Sequence, residues 1–308
     1  MLELTELSLN IHHTPILRDV SLRVGAGEVF GLVGESGSGK SMTALAAMGL
    51  LPRGASATGR VAFAERDLLT LPERDLCDLR GREIGMIFQE PMTALNPLHR
   101  IGDQVAETLV VHGAATRRDA MELAAERLQR VGLGHIGLDR YPHELSGGQR
   151  QRVCITLAVA LRPKLLIADE PTTALDVTTQ AQILDLLQDL VADEGMGLWL
   201  ITHDLAVVAD VADRVAVMRQ GALVEEGATE PLFRAPQADY TRKLLSDSAH
   251  VPVRPKQVTA AESSVLEVRD VVRDYPVSGA GIFGSASGFR AVDHVSLTIA
   301  PGESVGLT

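Results

Sequence analysis

Apolar and polar residues alternate over the first eleven positions of the chain, and Leu2–Ile11 reads as a β-strand. Residues 17–24 and 28–33 read as two more strands, parted by the turn Gly25-Ala26-Gly27. Residues 165–168 and 198–201 are short, unbroken apolar runs, the pattern of parallel strands buried on both faces; residues 84–88 form a further apolar strand. Residues 40–51 are expected to form a helix that ends before Pro52. Over residues 117–131, Met121, Ala124, Ala125, Leu128 and Val131 recur at helical spacing and predict an amphipathic helix. Strands alternating with helices predict an α/β fold, its sheet covered on both faces, with a helical insertion between about 100 and 145.

The pattern starts twice. Leu2-Glu3-Leu4-Thr5-Glu6-Leu7 is matched by Leu266-Glu267-Val268-Arg269-Asp270-Val271. Asp19-Val20-Ser21-Leu22 is matched by His294-Val295-Ser296-Leu297, and Gly27-Glu28 by Gly302-Glu303. The offset grows from 264 to 275, which places eleven extra residues in the second copy, in the Gly/Ser-rich stretch 279–288. A repeat of this length points to a duplicated module. The expected organisation is a first module over 1–245, a polar tether over 246–264, and the opening strands of a second module over 265–308, cut short one residue before its own phosphate loop.

Composition narrows the class. With 308 residues, 45% hydrophobic and 22% charged, the chain matches ordinary globular proteins. Its apolar runs are far too short to span a bilayer, so a membrane link is expected to run through partner subunits. The first residues lack the basic start and long apolar stretch of a secretory signal. A net charge of −11 argues against bulk attraction to nucleic acid or anionic lipid. Cys77 and Cys154 are too few and too distant for a metal cluster and read as free thiols.

The chemistry is concentrated in a few segments. Gly34, Glu35, Ser36, Gly37, Ser38, Gly39, Lys40 and Ser41 fit the phosphate-loop pattern between a strand and a helix. Glycines let backbone N–H groups curl around phosphate oxygens, and the following helix points its positive end at the same anion. Lys40 would reach the β- and γ-phosphates of ATP, and Ser41 would place its hydroxyl on Mg²⁺. Asp169 and Glu170 close an apolar strand; Asp169 would hold the metal and Glu170 would polarise the attacking water. Taken alone, adjacent acids there are as often a solvated turn. Gln89 follows a strand and is placed to touch metal or water, although alone it reads as a surface residue. His203 follows another strand and would report on a γ-phosphate, where a lone histidine is otherwise structural. Asp176 reads equally as a helix cap. Ser146, Gly147 and Gly148 precede a helix and form a second anion-receptive terminus, with Gln149 next to them as a further candidate.

In this order and spacing, these segments resemble the nucleotide-binding subunit of ATP-binding cassette (ABC) transporters, over residues 1–245 and again from about 265. The resemblance implies a P-loop NTPase with a mostly parallel core and an N-terminal antiparallel β subdomain. It implies Glu170 as catalytic base, His203 as switch, and Ser146 and Gly148 as donors to a nucleotide held by an opposite cassette. Gln89-Glu90-Pro91-Met92-Thr93-Ala94-Leu95-Asn96-Pro97 is similar to the segment of dipeptide, oligopeptide, nickel and glutathione importers, and Gln237-Ala238-Asp239-Tyr240-Thr241-Arg242 resembles that subfamily's closing motif. The implied partners are membrane permeases, an external solute-binding protein and a second cassette; the implied location is the cytoplasmic face of the membrane. The family stacks adenine on an aromatic, whereas Ile11 occupies that position here and Tyr275 the equivalent one in the second copy. Loss of stacking would weaken adenine binding at the first site by roughly 1–2 kcal/mol, with His12 next to Ile11 as a possible substitute. The rival class is a soluble tandem cassette acting on ribosomes or DNA; such proteins carry long charged linkers, coiled coils or zinc cysteines, which this sequence does not show.

Overall fold

The computed structural model describes residues 1–89, 94–173, 175–248, 264–276 and 288–306. The segment 90–93, Ala174, most of the expected tether and most of the Gly/Ser-rich stretch lie outside the described residues. The chain forms two compact units, Met1–His250 and Val251–Thr308.

The first unit contains two sheets. Strands β1 (Leu2–Ile11), β2 (Thr14–Val24), β4 (Ala55–Phe63) and β5 (Arg66–Asp67) form an antiparallel sheet in the order β2-β1-β4-β5. Its apolar alternation changes phase: Leu2 and Leu4 are buried, then Leu7 and Leu9. A bulge with Glu6 at φ 48° inserts the extra residue that makes this possible. The Glu6 amide donates to Ser21 Oγ at 2.9 Å.

The second sheet has the order β10-β9-β3-β8-β7-β6. Strands β3 (Val29–Val33), β6 (Ile84–Ile87), β7 (Leu165–Asp169), β8 (Gly197–Thr202) and β9 (Arg214–Arg219) run parallel, and β10 (Ala222–Ala228) adds an antiparallel edge. Every residue of β3, β7 and β8 is buried, as their unbroken apolar runs require. Helices α1 (Lys40–Ala47) and α2 (Glu73–Leu79) follow the first strands. Helices α3 (Ile101–Val111) and α4 (Ala120–Arg130) form the insertion, joined through Ile101, Val105 and Leu109 on one side and Ala120, Ala124 and Leu128 on the other. Helix α5 (Gly147–Val159) packs on β6, and α6 (Val177–Glu194) on β8. Helices α7 (Leu205–Val211), α8 (Thr229–Arg234) and α9 (Asp239–Ser248) complete the unit. Among the described residues, no helix is long and apolar enough to cross a membrane.

Several boundaries differ from expectation. Helix α1 ends at Ala47, because Gly49 at φ 63° closes it: the Leu50 amide donates to Leu45 O and the Gly49 amide to Ala46 O. The apolar strand stops at Ile87, and Phe88 is 46% exposed. The amphipathic helix starts at Ala120 after a turn, and Ala125 faces outward while Leu123 packs instead.

In the second unit, β11 (Leu266–Pro276) pairs antiparallel with β12 (Gly288–Ile299). The hairpin repeats the irregularity of the first: Asp270 sits at φ 49°, and its amide donates to Ser296 Oγ at 2.9 Å.

Candidate nucleotide site

Strand order places the candidate residues. Strands β6, β7, β8 and β3 are consecutive and parallel, so the residues after each emerge at one edge. Gln89 follows β6, Asp169 ends β7 with Glu170 just after it, His203 follows β8, and the loop from Gly34 follows β3. Ligands of open α/β sheets bind at this C-terminal edge.

The loop runs directly into α1, and Lys40 folds back over it. The Lys40 Nζ donates to Gly34 O at 2.8 Å and Glu35 O at 3.0 Å. Burial lowers the affinity of Lys40 for its proton, while the charges of Glu170 and Asp169 oppose that shift. The loop is also braced from behind: the Gly221 amide, in the β9–β10 turn, donates to Ser38 O at 2.8 Å. Ser38 Oγ is sealed from solvent without a hydrogen-bond partner.

Ser41, Gln89 and Asp169 line a cavity of about 450 Å³ with Leu45, Met86, Phe88 and Ala94. Asp169 is 4% exposed, and its Oδ1 has no hydrogen-bond partner. Burial raises its pKa, partly offset by the Ser41 hydroxyl beside it. An orphaned carboxylate oxygen, a hydroxyl and an amide on one cavity suit Mg²⁺, which takes few protein ligands and completes its shell with phosphate oxygens and water.

Glu170 adopts φ 49°, a left-handed conformation that is strained for a residue with a side chain. Its Oε2 accepts from Gln89 Nε2 at 3.2 Å and from Thr173 Oγ1 at 2.9 Å, and its Oε1 lies 3.2 Å from His203 Nδ1. Burial pushes its pKa up, but the Thr173 and His203 bonds and the charges of His203 and Lys40 bring it below the ordinary range. The carboxylate therefore stays ionised at neutral pH. Thr173 was not legible as a site residue, since nothing in its spacing distinguishes it from Thr172.

The segment from Ser146 stands apart. Ser146 Oγ accepts from the Gln149 amide, and Gln149 Oε1 accepts from the Ser146 amide at 2.9 Å, a reciprocal cap on α5. Among the described residues, no hydrogen bond or ion pair joins residues 146–149 to Lys40, Asp169 or Glu170. Gly147 has open space around it apart from Leu175, whereas a Cβ at Gly148 would collide with the Thr179 methyl. Thr179 also donates to Asp176, from its amide at 2.9 Å and from Oγ1 at 2.6 Å. Asp176 is thus the cap of α6, and Thr179 ties it to the glycine turn.

Ile11 is half-buried at the end of β1. The His12 amide donates to Gly54 O at 2.9 Å, and its ring packs close to Gly54.

These features define a P-loop ATPase of the cassette type, and the comparisons agree. The ABC transporter family profile matches residues 17–173. The chain is similar to the peptidoglycan transport ATP-binding protein YejF of Agrobacterium fabrum, 47% identical over 315 residues, covering 100% of this chain and 57% of that protein. It is also similar to a Brucella melitensis protein named for peptide import, 50% identical over 238 residues, covering 74% of this chain and 70% of that protein. The dimeric cassette MJ0796, solved in a post-hydrolysis state with ADP and Pi, superimposes with a TM-score of 0.66 at 29% identity, covering 75% of this chain and 99% of that one. The chain belongs to the ABC transporter family. It spans little more than half the length of the Agrobacterium relative.

Proposed function

We propose that the chain is the ATP-hydrolysing subunit of an importer, powering entry of peptides or related small solutes through partner membrane permeases. The observation that carries this reading is the single sheet edge where Gln89, Asp169, Glu170, His203 and the phosphate loop follow four consecutive parallel strands. The amides of residues 36–39, with Lys40, bind the β- and γ-phosphates of ATP, and Gly34 and Glu35 shape the entry of the loop. Ser41, Asp169 and Gln89 hold Mg²⁺, which when bound neutralises charge on the phosphate oxygens. Glu170 orients the attacking water and receives its proton; Thr173 and His203 hold its two carboxylate oxygens in place. His203 also senses the γ-phosphate. The amide of Gln89 reaches the same carboxylate, so a partner that moved Gln89 would also move the base.

Ser146, Gly147, Gly148 and Gln149 serve a nucleotide on a second cassette, with Asp176 at the same interface. Among the described residues, no hydrogen bond or ion pair ties them to this chain's own Lys40 or Glu170, which supports that assignment. The matched bulges of β1 and β11 support a second cassette opening near residue 265, after a tether that starts beyond Ser248, where α9 ends, rather than at 246. A solute-binding protein outside the membrane would deliver cargo to the complex, with the cassettes peripheral on the cytoplasmic face. At the base site, Ile11 supplies an apolar contact in place of a ring.

The test is Glu170→Gln in the assembled transporter. Hydrolysis should fall by about 10²–10⁴-fold while ATP stays bound and holds the cassettes closed. Unchanged hydrolysis refutes the role of Glu170. Co-purification with ribosomes rather than permeases would favour the soluble class instead.

A further inference from the structure

The last helix of the first unit reaches the phosphate loop through a residue that none of the roles above employs. The amides of Gln237 and Ala238, just ahead of α9, donate to the Glu225 carboxylate of β10 at 2.8 and 3.1 Å. Glu225 thereby pins the start of α9 to the hairpin whose turn already braces the loop at Ser38. One residue into the helix, Tyr240 turns inward. It is 9% exposed and shares an apolar cluster with Val33, the residue before the loop, and with Val215 and Val217 of β9. The Arg219 guanidinium lies over its ring, 4.7 Å from the centroid, a cation–π contact that fixes the ring plane. The hydroxyl oxygen is sealed from solvent beside the Glu35 backbone amide, without a hydrogen bond to it. A sealed hydroxyl without a partner is unfavourable, and the Glu35 amide is the group beside it.

We propose that Tyr240 is a positioning residue for the phosphate loop: its ring sets the exit of β3, and its hydroxyl holds the Glu35 backbone in the curl that receives a triphosphate. Arg219 and Glu225 act behind it, one on the ring and one on the helix. The inference rests on the nucleotide-binding reading of the site. It makes the helix next to the tether a structural support of the ATP site.

The full chain is titrated with a fluorescent ATP analogue and Mg²⁺ as wild type, Tyr240→Phe and Tyr240→Leu, and the nucleotide-free Tm of each is measured. Steady-state hydrolysis by the assembled transporter then separates KM from kcat. Tyr240→Phe keeps the ring and should weaken nucleotide binding about fivefold, the loss of one hydrogen bond, with Tm near wild type and KM rising more than kcat falls. Tyr240→Leu should weaken binding further and lower Tm. Wild-type affinity in Tyr240→Phe, with Tyr240→Leu altered in Tm alone, overturns the proposal and leaves Tyr240 as core filling. A wild-type chain that binds no Mg-ATP overturns the nucleotide-site reading together with this one, so the two failures are distinct.

Discussion

Gly221 offers a test of how the phosphate loop is supported. It sits at φ 82°, its amide donates to Ser38 O at 2.8 Å, and its carbonyl accepts from the Arg18 amide at 2.7 Å. A Cβ placed there would lie well under 3.0 Å from the Ile16 carbonyl oxygen. Gly195 is the control: it ends α6 at φ 63°, and an added Cβ meets nothing within 4 Å. Both Gly→Ala changes impose a left-handed alanine, at about 1–2 kcal/mol. Only Gly221→Ala adds an overlap with backbone, which cannot rotate away, and displacing packed backbone costs about 1–3 kcal/mol more. Gly221→Ala should therefore lose roughly 2–5 kcal/mol and Gly195→Ala roughly 1–2 kcal/mol. Urea unfolding measures both, with the slope checked for constancy. The turn can relieve the overlap only by moving off Ile16 and Ser38, so ATP affinity should fall in Gly221→Ala and hold in Gly195→Ala. Equal stability losses, or unchanged ATP affinity in Gly221→Ala, would refute the bracing argument.

Thr173→Val removes one of three groups holding the Glu170 carboxylate; it should raise the Glu170 pKa and reduce kcat several-fold, read as an acid limb of the pH–rate profile shifted upward. Ser146→Ala removes a helix cap worth about 1 kcal/mol, visible in urea unfolding, but should reduce hydrolysis by the assembled transporter far more than that loss explains. Burial pushes the Cys154 thiol up to about 12, whereas Cys77 is exposed, so iodoacetamide at pH 8 should label the native chain once, at Cys77, and twice in denaturant, by mass spectrometry.

Much of this architecture could be read from pattern alone, for identifiable reasons. The runs at 165–168 and 198–201 could only be buried on both faces, and they became β7 and β8. The phosphate loop is written in glycines and a lysine at fixed spacing, so it was legible without tertiary context. The features that pattern does not display depend on contacts made in the fold. Gly49 stops α1 by its backbone conformation, ahead of the more conspicuous Pro52. The bulge at Glu6 appears in sequence only as a change of apolar phase, two residues long. Thr173, Gly221 and Thr179 act through neighbours that only the fold supplies. The packing of the His12 ring against Gly54 joins residues 42 positions apart, which the sequence does not display.

In the sheet order, β8 lies between the loop-bearing β3 and the acid-bearing β7. Two ladder steps of about 4.8 Å therefore gauge the gap in which a terminal phosphoryl group would rest. That gauge is machined by peptide hydrogen bonding, independent of whichever side chains fill the layers above and below. Hollowing out the interior at Trp199, at the middle of the spacer strand, would soften the molecule while leaving the jaw width as it was.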